Sequence, residues 1–245
     1  MTDTLTPATT ATTAWLRLGR AAAITMVVWS VLLQAVFARE LIPPVLIVGL
    51  VFLGFSFFLA GERRRLGLAY AVVTVVLVAG NLPQIVSSLS APASAPSFVL
   101  TLASVLAPLA AVVAGLGAFF RWPVPAIRPT AIAVVAVFAV GAAASIAVAA
   151  TTESDIALAG DAQVTAERIA FAPEAITLAG DGTGVWVDNR DGVHHTFTVD
   201  ALGIDLEIPA LKAKRVDVAA AVGTYEVICT VPGHDDMTAT LIVSG

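Results

Sequence analysis

The chain has 245 residues, of which 58% are hydrophobic and only 13% are charged. A soluble protein of this length carries far more charge, so this composition excludes an ordinary soluble domain and predicts membrane-spanning segments. The net charge of −5 and the single cysteine exclude a strongly basic nucleic-acid-binding protein and a disulfide scaffold.

Charge divides the chain into two parts. Residues 1–150 hold eight arginines and three acidic residues, whereas residues 151–245 hold five basic and fifteen acidic residues. Because phosphate backbones are bound through clustered Lys and Arg, nucleic acid is not an expected partner of the acidic part. We expect two parts in two environments. The predicted divisions are a cytoplasmic N-terminal tail (1–20), a membrane domain (21–150), a linker (151–162) and an extramembrane domain (163–245).

Five apolar stretches of about 17–23 residues have the length needed to cross a hydrocarbon core about 30 Å thick as helices. Helices are required because lipid offers no partner for backbone N–H and C=O groups. The five predicted transmembrane helices cover residues 21–37, 43–60, 66–82, 98–120 and 131–150. These stretches contain no Asp, Glu, Lys, Arg or His. This lack argues against a proton or ion path and favours an anchor in the bilayer, or a docking surface for another membrane subunit.

Arginines predict the orientation of these helices. Seven arginines lie before the first stretch or in the loops that join the second to the third and the fourth to the fifth, whereas the remaining loops hold only Arg39. The positive-inside rule therefore predicts a multi-pass protein of the cell membrane, with a cytoplasmic N-terminus and an extracytoplasmic C-terminal domain. Arg17 and Arg20 before an apolar run also fit a cleaved signal peptide, and this alternative leaves the C-terminal domain on the same side.

The extramembrane part reads as a β-domain. Short runs of strand-forming residues alternate with turn residues such as Gly, Asp, Asn and Pro. Regular short strands of this kind predict a β-sandwich or barrel, and about 90 residues suffice for one. The predicted fold class is therefore α and β in separate domains, a bundle of five transmembrane helices followed by a β-sandwich.

Strand alternation selects candidate metal ligands. In the strand around residues 193–200, His195 shares a face with apolar residues, so we expect His195 to point into the core and His194 toward solvent. Cys229 lies on the apolar face of a later strand, and the short loop that follows it carries His234 and Met237. Two imidazoles, a thiolate and a weak thioether form the blue-copper electron-transfer site, whereas zinc gains little from a methionine.

Three segments carry a family resemblance. Residues 189–197 fit the pattern N-x-D-x-x-x-H-x-F, residues 223–234 fit G-x-Y-x-x-x-C-x-x-x-G-H, and Phe171-Ala172-Pro173 precedes them on an expected early strand. Over residues 163–245 the chain resembles cupredoxins of the plastocyanin/azurin type. The resemblance implies a Greek-key β-sandwich that binds one type 1 copper ion and transfers single electrons outside the cytoplasm. It also implies that His195, Cys229 and His234 are the equatorial copper ligands and Met237 the axial ligand.

One feature departs from the family pattern. Only two residues separate His234 from Met237, whereas three or four are common in the family. Met237 also continues the apolar alternation of the last strand, so a core role and an axial role are both open for it. His194 is the alternative to His195 as the first ligand.

Three functions are consistent with these residues. The first is one-electron transfer, for which the acidic surface predicts a redox partner protein with a basic surface. The second is a copper-binding module for delivery, storage or sensing, and the third is a domain that has lost its metal. An enzyme is not expected, because a catalytic copper needs further histidines and a dinuclear centre needs a second cysteine.

Overall fold

The computed structural model describes residues 7–32, 43–60, 63–179 and 184–244. The end of the first predicted span (33–37), Arg39 and a predicted turn at 180–182 lie outside the described residues. The chain forms two compact units. One comprises Met1–Leu82 and Leu102–Val140, and the other comprises Pro83–Thr101 and Gly141–Gly245.

The described residues before the β-domain form six α-helices. They are α1 (Pro7–Leu32), α2 (Pro43–Phe58), α3 (Arg64–Gly80), α4 (Leu82–Ser90), α5 (Ala95–Phe120) and α6 (Ile127–Thr151). In the first unit, the large side chains Trp15, Phe52 and Tyr70 are buried together with small residues of α5. Gly67 of α3 and Gly115 of α5 approach so closely that a Cβ on Gly115 would collide with the carbonyl oxygen of Gly67. Close backbone approach at small residues is typical of membrane helices.

Three helical segments are long and apolar enough to cross a membrane, namely Thr10–Leu32, Ala95–Phe120 and Val124–Thr151. A fourth candidate arises if the bent pair α3 and α4 counts as one span. Val45–Phe58 is apolar but shorter, whereas a span requires about 20 residues. The described residues thus support three or four candidate spans, and the presence of five transmembrane helices remains a prediction.

The C-terminal part contains nine described strands in two sheets. The strands are β1 (Ala162–Ala166), β2 (Phe171–Ala172), β3 (Ala175–Ala179), β4 (Gly184–Asn189), β5 (His195–Val199), β6 (Ile204–Ile208), β7 (Ala213–Asp217), β8 (Gly223–Ile228) and β9 (Thr238–Ser244). One sheet has the order β2-β1-β4-β7 and the other β3-β9-β8-β5-β6. The β1–β4 and β3–β9 pairs are parallel, and the other pairs are antiparallel.

Alternating side chains of both sheets form one hydrophobic core. In β9, Ala239, Leu241 and Val243 are buried and the residues between them are more exposed. This is the period-2 pattern of a strand with one face in the core. Phe171 of one sheet meets Phe197 of the other edge to face, with ring centroids 5.9 Å apart. The core fixes the strands whose ends carry the candidate ligands.

Candidate metal centre

Strand pairing brings two of the predicted ligands together. His195 is the first residue of β5, and Cys229 follows the last residue of β8. The two strands are antiparallel neighbours, with Thr198 opposite Ile228. Because antiparallel strands place the start of one beside the end of the other, His195 and Cys229 lie at the same end of the sheet.

The loop between β8 and β9 folds back on itself. The backbone N–H of His234 donates to the carbonyl oxygen of Val231 (3.1 Å), and the N–H of Met237 donates to that of His234 (2.8 Å). The N–H of Cys229 donates to the carbonyl oxygen of Met237 (3.0 Å), which closes the loop. Gly233 has a φ of +83°, a left-handed conformation that other residues rarely adopt. These turns bring His234 and Met237 back to Cys229.

Three potential ligand atoms surround one point. The Cys229 Sγ lies 3.5 Å from the His234 Nδ1 and 3.9 Å from the His195 Nδ1. The two Nδ1 atoms are 3.2 Å apart, and all three atoms lie within 4.8 Å of one another. The exposed fractions of His195, Cys229 and His234 are 0%, 6% and 6%. The structure therefore brings together the three equatorial ligands predicted from the sequence.

Met237 is the predicted fourth ligand. Its side chain is fully buried in the hydrophobic core that also contains Cys229, and its backbone is hydrogen-bonded to the backbone of Cys229. The residue therefore contributes to the core and lies beside the three-ligand cluster. Two imidazoles, one thiolate and one thioether are the donors of a type 1 copper site, and this donor set fits copper better than the harder metals that carboxylates bind.

The Cys229 sulfur is prepared for metal binding. Burial would raise the pKa of the thiol, but the polar contacts of the sulfur with the His195 and His234 rings and with backbone N–H groups outweigh it and lower the pKa to about 5. The backbone N–H of Thr196 also donates to the sulfur, at 3.4 Å. At neutral pH Cys229 is therefore a thiolate, which is the form that binds metals.

Asp191 orients His195 from behind. The Nε2 of His195 donates to the Oδ2 of Asp191 at 2.9 Å. Burial lowers the pKa of His195, but the bond to Asp191 and the contact with Cys229 raise it above its usual value. Since Nε2 holds its proton against the carboxylate, Nδ1 is the nitrogen left to face the metal, as in carboxylate–histidine–metal arrangements.

Asp191 is itself held in place. Its carboxylate accepts hydrogen bonds from the backbone N–H groups of Arg168 (2.9 Å) and Ile169 (3.0 Å), which both have positive φ values. Its own backbone N–H donates to the side chain of Asn189 (2.9 Å). No role for Asp191 is predicted from its position in the sequence alone, although it lies close to a predicted ligand. The signal was available, because Asp191 is the aspartate of the motif four residues before His195.

His194 lies outside the ligand cluster. Its Nε2 is 3.1 Å from the Oγ of Ser87, and its side chain is buried with an exposed fraction of 6%. The expectation that His194 faces solvent is therefore wrong. The reason is that Ser87, more than a hundred residues earlier in the chain, covers it. Of the two adjacent histidines, His195 belongs to the ligand cluster.

A family model matches the part of the chain that holds this site. Residues 130–243 match the family model described as a cupredoxin-like domain. No curated protein is significantly similar to the chain. Among solved structures, the Cu(I) form of an amicyanin mutant is 21% identical and covers 38% of this chain and 95% of its own, with a TM-score of 0.32.

Two further solved structures are similar to parts of the chain. The Cu(I)-bound metal-binding domain of a Cu(I)-exporting P-type ATPase of Streptococcus pneumoniae is 16% identical, with 38% and 95% coverage and a TM-score of 0.31. A heme-copper terminal oxidase is 13% identical, with 49% and 97% coverage and a TM-score of 0.31. By the family match and the ligand cluster, the C-terminal half of the chain is a cupredoxin-like copper-binding domain, preceded by helices of which three are long and apolar enough to span a membrane.

Proposed function

We propose that the protein is a membrane-anchored type 1 copper protein that transfers single electrons on the extracytoplasmic side of the membrane. The observation that carries this proposal is the buried convergence of the His195, Cys229 and His234 ligand atoms within 4.8 Å, beside the buried Met237. Ligands fixed by strands and loop hydrogen bonds move little between Cu(I) and Cu(II), which favours fast electron transfer. The two sheets around one core support the Greek-key sandwich that the family resemblance implies.

The ligand set supports transfer over catalysis. His195 and His234 belong to the three-ligand cluster, and the third histidine of the chain, His194, contacts Ser87 instead. No histidine remains for a second, catalytic copper, and the single cysteine cannot form a dinuclear centre. We therefore propose that the chain is not an enzyme by itself.

Two observations support the extracytoplasmic placement. Seven arginines mark one side of the predicted helices, which by the positive-inside rule is cytoplasmic. Residues Pro83–Thr101, from a loop predicted to lie outside, belong to the same compact unit as the copper domain. The loop and the domain are expected on one side of the membrane if α5 and α6 both cross it.

The charge of the domain supports a basic redox partner. Asp235 and Asp236 are exposed next to the ligand His234, and Asp205 and Glu207 are exposed on β6. Negative charge near a redox centre attracts a positively charged partner, and this electrostatic attraction weakens as salt is added. The helices remain available to contact the bilayer and another membrane subunit.

Reversible redox cycling tests the proposal. The full chain in detergent, loaded with Cu(II), is expected to lose its visible absorption on reduction by ascorbate and regain it on oxidation by ferricyanide, with one electron per copper over repeated cycles. The zinc-loaded protein, which has no accessible redox state, is the control. Loss of copper to a chelator at each reduction, without recovery of the absorption, would contradict electron transfer and favour copper delivery.

A further inference from the structure

Residues Pro83–Thr101, which comprise most of α4 and the start of α5, pack on the ligand end of the copper domain. Within this compact unit, the Ser87 Oγ lies 3.1 Å from the Nε2 of His194. The backbone N–H of Ala210 donates to the Oγ of Ser94 at 2.8 Å. His194 immediately precedes the predicted ligand His195, which is the first residue of β5. Ala210 lies two residues beyond the end of β6, the strand that pairs with β5.

Two glycines of the ligand loops lie against the same segment. A Cβ built on Gly233 would lie 3.7 Å from the Oε1 of Gln84, and a Cβ built on Gly192 would lie 3.7 Å from the Cβ of Pro96. Gly233 precedes the ligand histidine of the β8–β9 loop, and Gly192 lies in the loop before β5. The 83–101 segment therefore lies against the loop that carries His234 and against the loop that leads into His195.

The hydrogen-bonded part of this contact is buried. Ser94 is 0% exposed and Ala210 is 3% exposed, so their hydrogen bond is shielded from water. His194 and His234 are each only 6% exposed. Hydrogen bonds that are shielded from water favour the closed contact, and a buried N–H whose acceptor is removed while the contact stays closed is left unsatisfied at considerable cost.

We infer that the 83–101 segment is a built-in cap that closes the copper site to ligand exchange while leaving electron transfer possible. A chelator must bond to the copper and needs the ligand loops uncovered. Electron transfer requires only that the redox partner come close to the metal, and the cap does not prevent this approach. This inference rests on the copper site and deepens the proposed function, because a capped site retains its ion as an electron carrier must.

Chelator competition on the full chain in detergent tests the cap. The Ser87→Ala/Ser94→Ala double variant removes both hydrogen bonds from the segment to the domain. Release of Cu(I) to bathocuproine disulfonate is expected to be about tenfold faster than in the wild type, because two buried polar groups lose their partners. The visible spectrum of the Cu(II) form should stay unchanged. Ser90→Ala is the matched control, because the exposed Ser90 hydroxyl donates only within α4, to the carbonyl oxygen of Ser87.

Two results would overturn the cap. One is Cu(I) release from the double variant at the wild-type rate. The other is faster release together with an altered visible spectrum, which would assign Ser87 and Ser94 to shaping the ligand set. If the double variant does not fold, Ser87→Ala alone carries the same comparison. Because the readout is copper release, the cap can fail while redox cycling succeeds, and the reverse also holds.

Discussion

Replacement of Cys229 by serine is expected to abolish the intense visible absorption of the copper-loaded protein. That absorption arises from charge transfer between a thiolate and Cu(II), and a serine hydroxyl stays protonated where the Cys229 thiol, with a pKa of about 5, is ionised. The copper affinity should fall by more than the roughly 10–100-fold that loss of an outer-shell partner costs. Absorption spectroscopy and chelator competition on the full chain measure both effects.

The control for this substitution is Asp236→Asn in the same loop. Asp236 is exposed and lies one residue before Met237, so its replacement should leave the absorption intact. Circular dichroism establishes that the serine variant remains folded, since serine differs from cysteine by one atom. A serine variant that is folded and still intensely coloured would show that another sulfur or another site binds the copper.

The second large effect is expected at Asp191. An Asp191→Asn variant keeps the size of the side chain but loses the charge that faces the His195 Nε2. Its amide has one accepting oxygen in place of two, so it cannot accept at both of the positions to which His195, Arg168 and Ile169 now donate. His195 then loses part of its orientation. We expect the copper affinity to fall about 10–100-fold, the usual cost of removing the partner behind a metal-bound histidine. Competition with a chelator of known affinity measures the change.

Asp188→Asn provides the matched comparison for this position. Asp188 lies three residues earlier and pairs with Arg190, whose side chain is 58% exposed, so the pair contributes little. Its replacement should leave the copper affinity within about twofold, since exposed ion pairs are worth little. Equal affinities of the Asp191→Asn variant and the wild type would mean that the hydrogen bond to His195 does not support the metal site.

The sequence predicted the ligands because their placement is local. His195 was assigned to the core face by alternation along one strand, and its exposed fraction of 0% agrees with this. Cys229, His234 and Met237 lie within nine residues, so a single loop suffices to bring them together. The period of a strand and the length of a loop can both be read without knowledge of tertiary contacts.

Other features depended on distant contacts and could not be predicted. The burial of His194 results from Ser87, which is 107 residues away in the sequence. The hydrogen bond between Ser94 and Ala210 spans 116 residues. No local pattern marks either serine, because both lie in a stretch that holds several serines, any of which is compatible with many environments.

The boundaries of the helices in the membrane part were predicted less accurately than the ligands. Hydropathy located the apolar regions, and α3 fills most of the third predicted span, but the structure places a separate short helix α4 in the loop predicted after that span. The described part of α2 is 16 residues long. Pro83 lies at the second residue of α4, where proline is tolerated at the start of a helix. Hydropathy averages over such breaks, so it counts apolar length and does not report where one helix ends.

X-ray absorption spectroscopy at the copper edge, on the full chain loaded with one copper per molecule, tests the site most directly. The predicted result is a first coordination shell of two imidazole nitrogens and one sulfur, with the sulfur contribution absent in the Cys229→Ser variant. A shell made only of nitrogen and oxygen in the wild-type protein would contradict the assignment of His195, Cys229 and His234 as the copper ligands.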